Sequence, residues 1–199
     1  MQQAASKIRE IELFAKENKI PIIEKEGKDF LIKYLNENKV INVLEIGSAI
    51  GYSAIMMALV SEKINIVTIE RDEIRFKLAL KYISELNLKD QITIINEDAL
   101  VFDEKKLTKK FDLLFIDAAK AQYQKFLEKY LKCLEENGSI IVDNINFHGF
   151  VSGERKTNNR NTKQLVGKIR RFREWIMNNE NFHVEFQNIG DGIMVIRKI

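Results

Sequence analysis

The spacing of apolar residues changes near residue 40. Before that point, Ala4 to Asn18 carries Ile8, Ile11, Leu13 and Phe14 at helical intervals, with acids and lysines between them. Pro21 stops this pattern. A second amphipathic stretch, Glu24 to Asn36, carries Phe30, Leu31 and Leu35. From residue 41 onward, short apolar runs alternate with helical patterns. Strands are predicted at Ile41–Ile46, Ile64–Glu70, Gln91–Asn96, Phe111–Asp117, Ser139–Asp143, His183–Asn188 and Ile193–Arg197. Helices fall between them at Tyr52–Ser61, Asp72–Leu88, Glu104–Lys109 (short), Ala121–Glu136 and Thr162–Asn178.

Such alternation implies right-handed crossovers and a mainly parallel sheet with helices on both faces. The last two strands are separated only by Ile189-Gly190-Asp191-Gly192, a hairpin, so the final strand is predicted antiparallel. The expectation is an α/β, Rossmann-like fold with a seven-stranded sheet. One domain spans 1–199, with a helical N-terminal extension (1–38) ahead of the core (39–199). The extension reads as a cap over one face; a lid or a dimer contact are the other readings of it.

Composition narrows the class. At 199 residues, with 45% hydrophobic and 31% charged residues, the chain can bury a full core. The longest apolar run, Ala54 to Val60, is far too short for a membrane span, and no signal-peptide pattern opens the chain. Cys133 is the single cysteine. A cytoplasmic protein with no membrane association is expected. The net charge of +3 by itself says nothing about nucleic acid.

Chemistry enters at the end of the first strand. Val43 to Ile46 runs into a turn bracketed by Gly47 and Gly51, and an apolar helix follows at once. Strand, glycine turn and helix together present a nucleotide-sized ligand to a helix N-terminus. A dinucleotide fingerprint fails, because Ala49 and Tyr52 stand where glycine and a small residue belong. A P-loop fails for want of a lysine before Ser53. What remains, Glu45-x-Gly47-x-x-x-Gly51, resembles the first motif of class I S-adenosylmethionine-dependent methyltransferases. The next strand ends in Glu70, placed to accept both ribose hydroxyls of an adenosyl group. Asp98, after the third strand, could accept from an adenine amino group. The fourth strand delivers Asp117-Ala118-Ala119-Lys120, and the fifth delivers Asp143-Asn144. Two carboxylates and an amide converging there suit Mg²⁺; a strand-end cap at Asp117 and an Asx turn at Asp143 are the structural alternative.

With these motifs in order, the chain resembles the metal-dependent O-methyltransferases that include the catechol and caffeoyl-CoA O-methyltransferases. The resemblance runs from about Pro21 to Ile199. It rests on Leu44-Glu45-Ile46-Gly47…Gly51-Tyr52-Ser53, Phe111-Asp112…Ile116-Asp117-Ala118-Ala119-Lys120, Asp143-Asn144 with Gly149, and Gly190-Asp191-Gly192-Ile193. Ala119 departs from the pattern, since many relatives carry a second acid there, but that position is not a metal ligand in the family. By matched position the resemblance implies Mg²⁺ on Asp117, Asp143 and Asn144. It implies S-adenosylmethionine against Ile23, Glu45, Gly47, Ser53, Glu70, Asp98, Ala99 and Asp117. Lys120 becomes the base or electrostatic partner of the substrate oxygen, with Asp117 beside it in the catalytic set. Homodimers are frequent among such relatives. The segment Arg160-Asn161-Thr162-Lys163…Trp175-Ile176-Met177 further resembles a bacterial branch that methylates wobble 5-hydroxyuridine in tRNA.

Charge distribution bears on that choice. Arg155, Lys156, Arg160, Lys163, Lys168, Arg170, Arg171 and Arg173 lie between Glu154 and Glu174, a local +6. This stretch follows Asp143-Asn144 and could contact the phosphates of a tRNA anticodon loop, with Phe147, His148 and Phe150 near an unstacked base. A solvated helix face is the plainer reading. Lys120 is expected to have a depressed pKa through repulsion by the metal. A 5-hydroxyuracil and a catechol offer equivalent pairs of adjacent oxygens, so small catechol-like or phenylpropanoid acceptors are the alternative substrates. A non-catalytic adenosyl-binding RNA scaffold is the reading from a different class. His148 reads either as a substrate contact or as a bystander loop histidine, and His183 carries no assigned role.

Overall fold

The computed structural model describes residues 2–199, with side chains from residue 4 onward. Two helices, α1 (Gln2–Glu17) and α2 (Lys25–Glu37), precede the sheet. Then come β1 (Asn42–Ile46), α3 (Tyr52–Ala58), β2 (Asn65–Glu70), α4 (Glu73–Glu85), β3 (Ile92–Asn96) and β4 (Phe111–Ile116). The chain closes with α5 (Tyr123–Tyr130), β5 (Leu134–Val142), α6 (Arg160–Met177), β6 (Phe182–Gln187) and β7 (Ile193–Lys198).

The strands form one sheet in the order β3-β2-β1-β4-β5-β7-β6. Every pairing from β3 to β5 is parallel, and β7 runs antiparallel to both β5 and β6. The expected seven-stranded, mostly parallel sheet is therefore present. Strand order reverses between β1 and β4, so the chain leaves these neighbours toward opposite faces and opens a crevice at their carboxyl ends.

The strands at the switch are apolar on both sides, because both faces are covered. Val43, Leu44, Leu113, Leu114 and Ile116 are all 0% exposed. On one face, Ile11 and Ala15 of α1 and Leu31 and Leu35 of α2 join Ile50, Ile55 and Met57 in a single cluster. The N-terminal helices thus complete one layer of the core. The other face packs on Tyr123, Leu127 and Tyr130 of α5 and Phe172 and Ile176 of α6. Among the described residues no helix is long and apolar enough to cross a membrane.

Several boundaries differ from expectation. The helix predicted over Ala121–Glu136 is cut to α5, flanked by 3₁₀ turns at Lys120–Gln122 and Leu131–Cys133. Strand β5 begins at Leu134, five residues early, because Leu134 pairs with Phe111 across an irregularity in the ladder. Glu135, Glu136 and Asn137 are exposed there, so their polar pattern resembles a helix surface. The predicted Glu104–Lys109 helix shrinks to one 3₁₀ turn, Glu104–Lys106. Helix α4 starts one residue later than expected, with Asp72 as N-cap accepting from the Arg75 N–H at 3.0 Å. Helix α6 starts two residues earlier, capped by Asn159 on the Thr162 N–H at 3.0 Å.

Candidate active site

The site is built where β1 and β4 part. Gly47 has φ +93° and Gly51, the N-cap of α3, φ +82°. Between them Ala49 is also left-handed, at φ +46°. Glu70, at the carboxyl end of β2, is 7% exposed and holds this turn: one carboxylate oxygen accepts from the Ala49 N–H at 2.9 Å, the other from the Asp72 N–H at 2.8 Å. Each oxygen keeps a further lone pair.

Glu45 lies beneath the turn, fully buried. Its two oxygens accept from Ser53 Oγ and Thr68 Oγ1, both at 2.5 Å. Burial pushes its carboxyl from 4.5 up to about 7, the two hydroxyls opposing the rise and the charges of Asp117 and Glu70 adding to it. Ser53 and Glu45, both expected to touch cofactor, are therefore joined to each other first. Asp98 Oδ1 accepts from the Leu100 N–H at 2.8 Å, and Oδ2 stands 3.6 Å from Arg71. Ala99 is buried, its carbonyl accepting from Tyr130 Oη at 2.6 Å. Ile23 is 5% exposed, and the α2 turn at Gly27 places it beside Asp143: a Cβ on Gly27 would lie 3.2 Å from Ile23 and 3.9 Å from Asp143 Oδ1.

Across the crevice, the Asp117 N–H donates to the Ile46 carbonyl at 3.1 Å, and the Asp143 N–H to the Ile116 carbonyl at 3.1 Å. Both acids thereby extend their strands by one rung. Asn144 follows in a left-handed conformation, φ +63°, which turns its amide back so that Nδ2 lies 3.5 Å from Asp117 Oδ1. The Asp143 carboxyl rises to about 7, through burial first and then the charge of Asp117, partly relieved by the Asn144 N–H at 2.8 Å. Asp117 is also raised, by burial, with Lys120 opposing. Two acids that destabilise each other's charge, with an amide that can rotate its oxygen inward, are a donor set a hard cation would relieve. The residues fit Mg²⁺. Among the described residues no three His, Cys, Asp or Glu side chains group to hold a metal; the third donor here is an amide.

Lys120 sits in the 3₁₀ turn after β4. Its pKa is lowered as expected, but the cause is burial, opposed by the surrounding acids Asp117, Asp143, Asp191 and Glu24. The last two were not predicted as site residues. Asp191 was legible only as part of a glycine-bracketed hairpin, and Glu24 as an ordinary helix-start acid. Tyr123, also unpredicted, donates its hydroxyl to the Asp143 carbonyl at 2.8 Å and so fixes the fifth strand's end.

The basic stretch divides in two. Arg170 is engaged internally, with Nε and Nη2 donating to the Val151 carbonyl at 3.1 and 3.0 Å and Nη2 to the Phe150 carbonyl at 3.2 Å. Arg173, half-buried, lies over the Phe186 ring at 4.5 Å. Arg155, Lys156, Arg160, Lys163, Lys168 and Arg171 are exposed and form no ion pair among the described residues. Arg155 also covers the Phe150 ring at 5.2 Å. Two clefts elsewhere, one lined by Leu127, Trp175 and Phe182 and the other by Tyr34, Asp112 and Arg197, lie at the opposite end of the sheet.

Comparison with known proteins identifies the family and the fold. Residues 3–199 match the O-methyltransferase family, N-terminal helices included. A caffeoyl-CoA O-methyltransferase from Populus kitakamiensis is 26% identical over 186 residues, covering 90% of this chain and 78% of the relative. A Staphylococcus aureus structure assigned to the caffeoyl-CoA O-methyltransferases superposes with a TM-score of 0.90 at 37% identity, covering 96% and 92% of the two chains. An O-methyltransferase from Bacillus cereus in complex with SAH superposes with a TM-score of 0.82 at 27% identity, over 97% and 91%.

Proposed function

The chain belongs to the O-methyltransferase family, and from that premise we propose that it is a Mg²⁺-dependent S-adenosylmethionine O-methyltransferase that converts wobble 5-hydroxyuridine in the tRNA anticodon loop to 5-methoxyuridine. The observation that carries the reading is the meeting of Asp117, Asp143, Asn144 and Lys120 beside the Gly47–Gly51 turn. A chain that only bound an adenosyl group would have no use for mutually repelling acids at the strand ends. The exposed cations Arg155, Lys156, Arg160, Lys163, Lys168 and Arg171, which form no ion pair among the described residues, support RNA over a small acceptor.

In this reading Glu70 accepts the ribose hydroxyls through its free lone pairs, and Asp98 the adenine amino group. Glu45 and Ser53 hold the turn and meet the amino-acid end. Gly47 lets the turn close against the Asp117 backbone. Asp117, Asp143 and the Asn144 amide oxygen would hold Mg²⁺, and the metal would supply Lewis-acid polarisation of the acceptor hydroxyl. Lys120, whose pKa burial lowers, takes the hydroxyl proton. The new oxygen–carbon bond forms as the sulfur–carbon bond breaks, leaving a neutral thioether. Positioning contributes about 7–11 kcal/mol on the scale of well-oriented intramolecular reactions.

The test incubates the protein with S-adenosylmethionine, Mg²⁺ and tRNA bearing 5-hydroxyuridine, digests to nucleosides and reads the product by mass spectrometry. A chelator control and a catechol acceptor run in parallel. Metal-dependent 5-methoxyuridine establishes the reading. Methylated catechol with untouched tRNA replaces it with a small-molecule enzyme.

A further inference from the structure

Asp191 occupies the β6–β7 turn between two left-handed glycines, Gly190 at φ +53° and Gly192 at φ +84°. The hairpin grips the segment that follows Asp143-Asn144. The Ile145 N–H donates to the Gly192 carbonyl at 3.0 Å, and the Asn146 N–H to the Asp191 carbonyl at 2.8 Å. Asp191 Oδ1 then accepts from the His148 N–H. Its side chain is only 6% exposed, yet Oδ2 has no hydrogen-bond partner among the described residues. The nearest candidate is His148 Nδ1, at 3.5 Å. A buried carboxylate oxygen left unpaired is costly, and a closure of a few tenths of an ångström would pair it.

The backbone of this segment is strained in the same place. Phe147 at φ +47° and His148 at φ +53° are consecutive non-glycine residues in the left-handed region, each costing about 1–2 kcal/mol. Strain of this kind persists where surrounding structure over-determines it, and it clusters at ligand clamps. The determinant here is Asp191, which accepts the His148 backbone N–H and stands 3.5 Å from Nδ1 of its ring. Its carboxylate favours the tautomer with the proton on Nδ1, leaving the Nε2 lone pair on the far side of the ring. That ring is 54% exposed and lies 5.7 Å from Phe147, which is itself 5.7 Å from Phe150. The hairpin's bonds to Ile145 and Asn146, directly after Asp143-Asn144, set the pair beside the strand-end donors, and the charge of Asp191 reaches both Lys120 and Asp143.

We propose that His148, oriented by Asp191, is a specificity-determining partner of the methyl acceptor, its Nε2 accepting the ring N–H of a pyrimidine held against Phe147 and Phe150. This rests on the methyl-transfer reading above and adds a reason for a uracil ring over a catechol, whose ring has no N–H donor. Asp191 is the positioning residue and acts through His148. Loss of one such hydrogen bond is expected to cost about tenfold in acceptor affinity, or about 1.4 kcal/mol.

The experiment measures steady-state kinetics on 5-hydroxyuridine tRNA and on catechol for the wild type, His148→Ala, Asp191→Asn and the double variant, with S-adenosylmethionine affinity by calorimetry. The expected result is an acceptor KM on tRNA raised about tenfold in each single variant. On tRNA the KM of the double variant should be no worse than that of His148→Ala, cofactor affinity should hold, and catechol turnover of His148→Ala should change less than about twofold. An unchanged tRNA KM in His148→Ala overturns the proposal while leaving methyl transfer standing. An equal loss on catechol in His148→Ala, or an added rise in tRNA KM from Asp191→Asn in the His148→Ala background, also overturns it, since Asp191 would then be a clamp alone. A wild type that methylates neither acceptor sinks the underlying reading, and this inference with it.

Discussion

Gly47 and Asp117 touch across the gap between the two parting strands: a Cβ on Gly47 would stand 2.4 Å from the Asp117 carbonyl oxygen and 3.0 Å from the Ala118 Cβ. The glycine of the cofactor turn and the first acid of the metal set are thus fixed against each other by backbone contact. The distance between the two halves of the site leaves no room for adjustment.

Gly47→Ala must therefore shift β1's end away from Asp117 and hold a left-handed backbone with a side chain. The expected outcome is a loss of about 2–4 kcal/mol in stability, from strain and overpacking together. Cofactor and Mg²⁺ binding should fail together. Thermal melts and calorimetry on the purified variant check this, and a variant that keeps either affinity would contradict it.

Asp143→Asn separates stability from function. Asp143 is raised from 3.8 to about 7 in the folded chain, so its contribution to stability is full below pH 3.8 and lost as pH rises through about 7. At pH 8, without divalent ions, the variant should melt no lower than the wild type. Mg²⁺ should raise the melting temperature of the wild type alone, and turnover of the variant should fall by about 10²–10³-fold. An equal Mg²⁺ shift in both proteins would place the metal elsewhere.

Glu45 predicts a proton linked to cofactor binding. Its carboxyl, pushed to about 7 by burial, is largely protonated in the free protein at pH 6. An ammonium group brought beside it lowers that value, so the complex holds fewer protons than the free protein. Affinity for S-adenosylmethionine should rise with pH toward about 7 and flatten above it. Calorimetry in buffers of different ionisation enthalpy reads the released proton directly, and Glu45→Gln should abolish both the release and the slope.

The basic stretch should also split by experiment. Lys163→Ala and Lys168→Ala, in exposed positions, should each weaken tRNA binding and reduce the magnitude of the salt slope by about 1, with turnover on a small acceptor untouched. Arg170→Ala instead removes the donors holding the Phe150 and Val151 carbonyls. It should loosen that loop and raise acceptor KM in low and high salt alike. A salt slope unchanged in both lysine variants would leave the stretch a solvated helix face.

The sequence by itself determined the architecture and the address of the site. Buried parallel strands must be apolar on both faces, so β1 and β4 announce themselves, and a two-glycine hairpin can only return antiparallel. Ligands bind where strands end at a switch point, so Glu70, Asp117, Lys120 and Asp143-Asn144 were readable from local position. What lay beyond reach depends on partners distant in sequence. Leu134 became strand because Phe111 pairs with it, against a local helical pattern. The N-terminal helices joined the core because Ile11 and Leu35 pack with Ile50 and Ile55. Glu45 turned inward because Thr68 and Ser53 take its oxygens, and burial, a property no single segment owns, depressed Lys120. The grip of Asp191 on His148 spans 43 residues. Periodicity and turn chemistry are local and survive in the sequence, whereas desolvation and the meeting of side chains exist only once the sheet has closed.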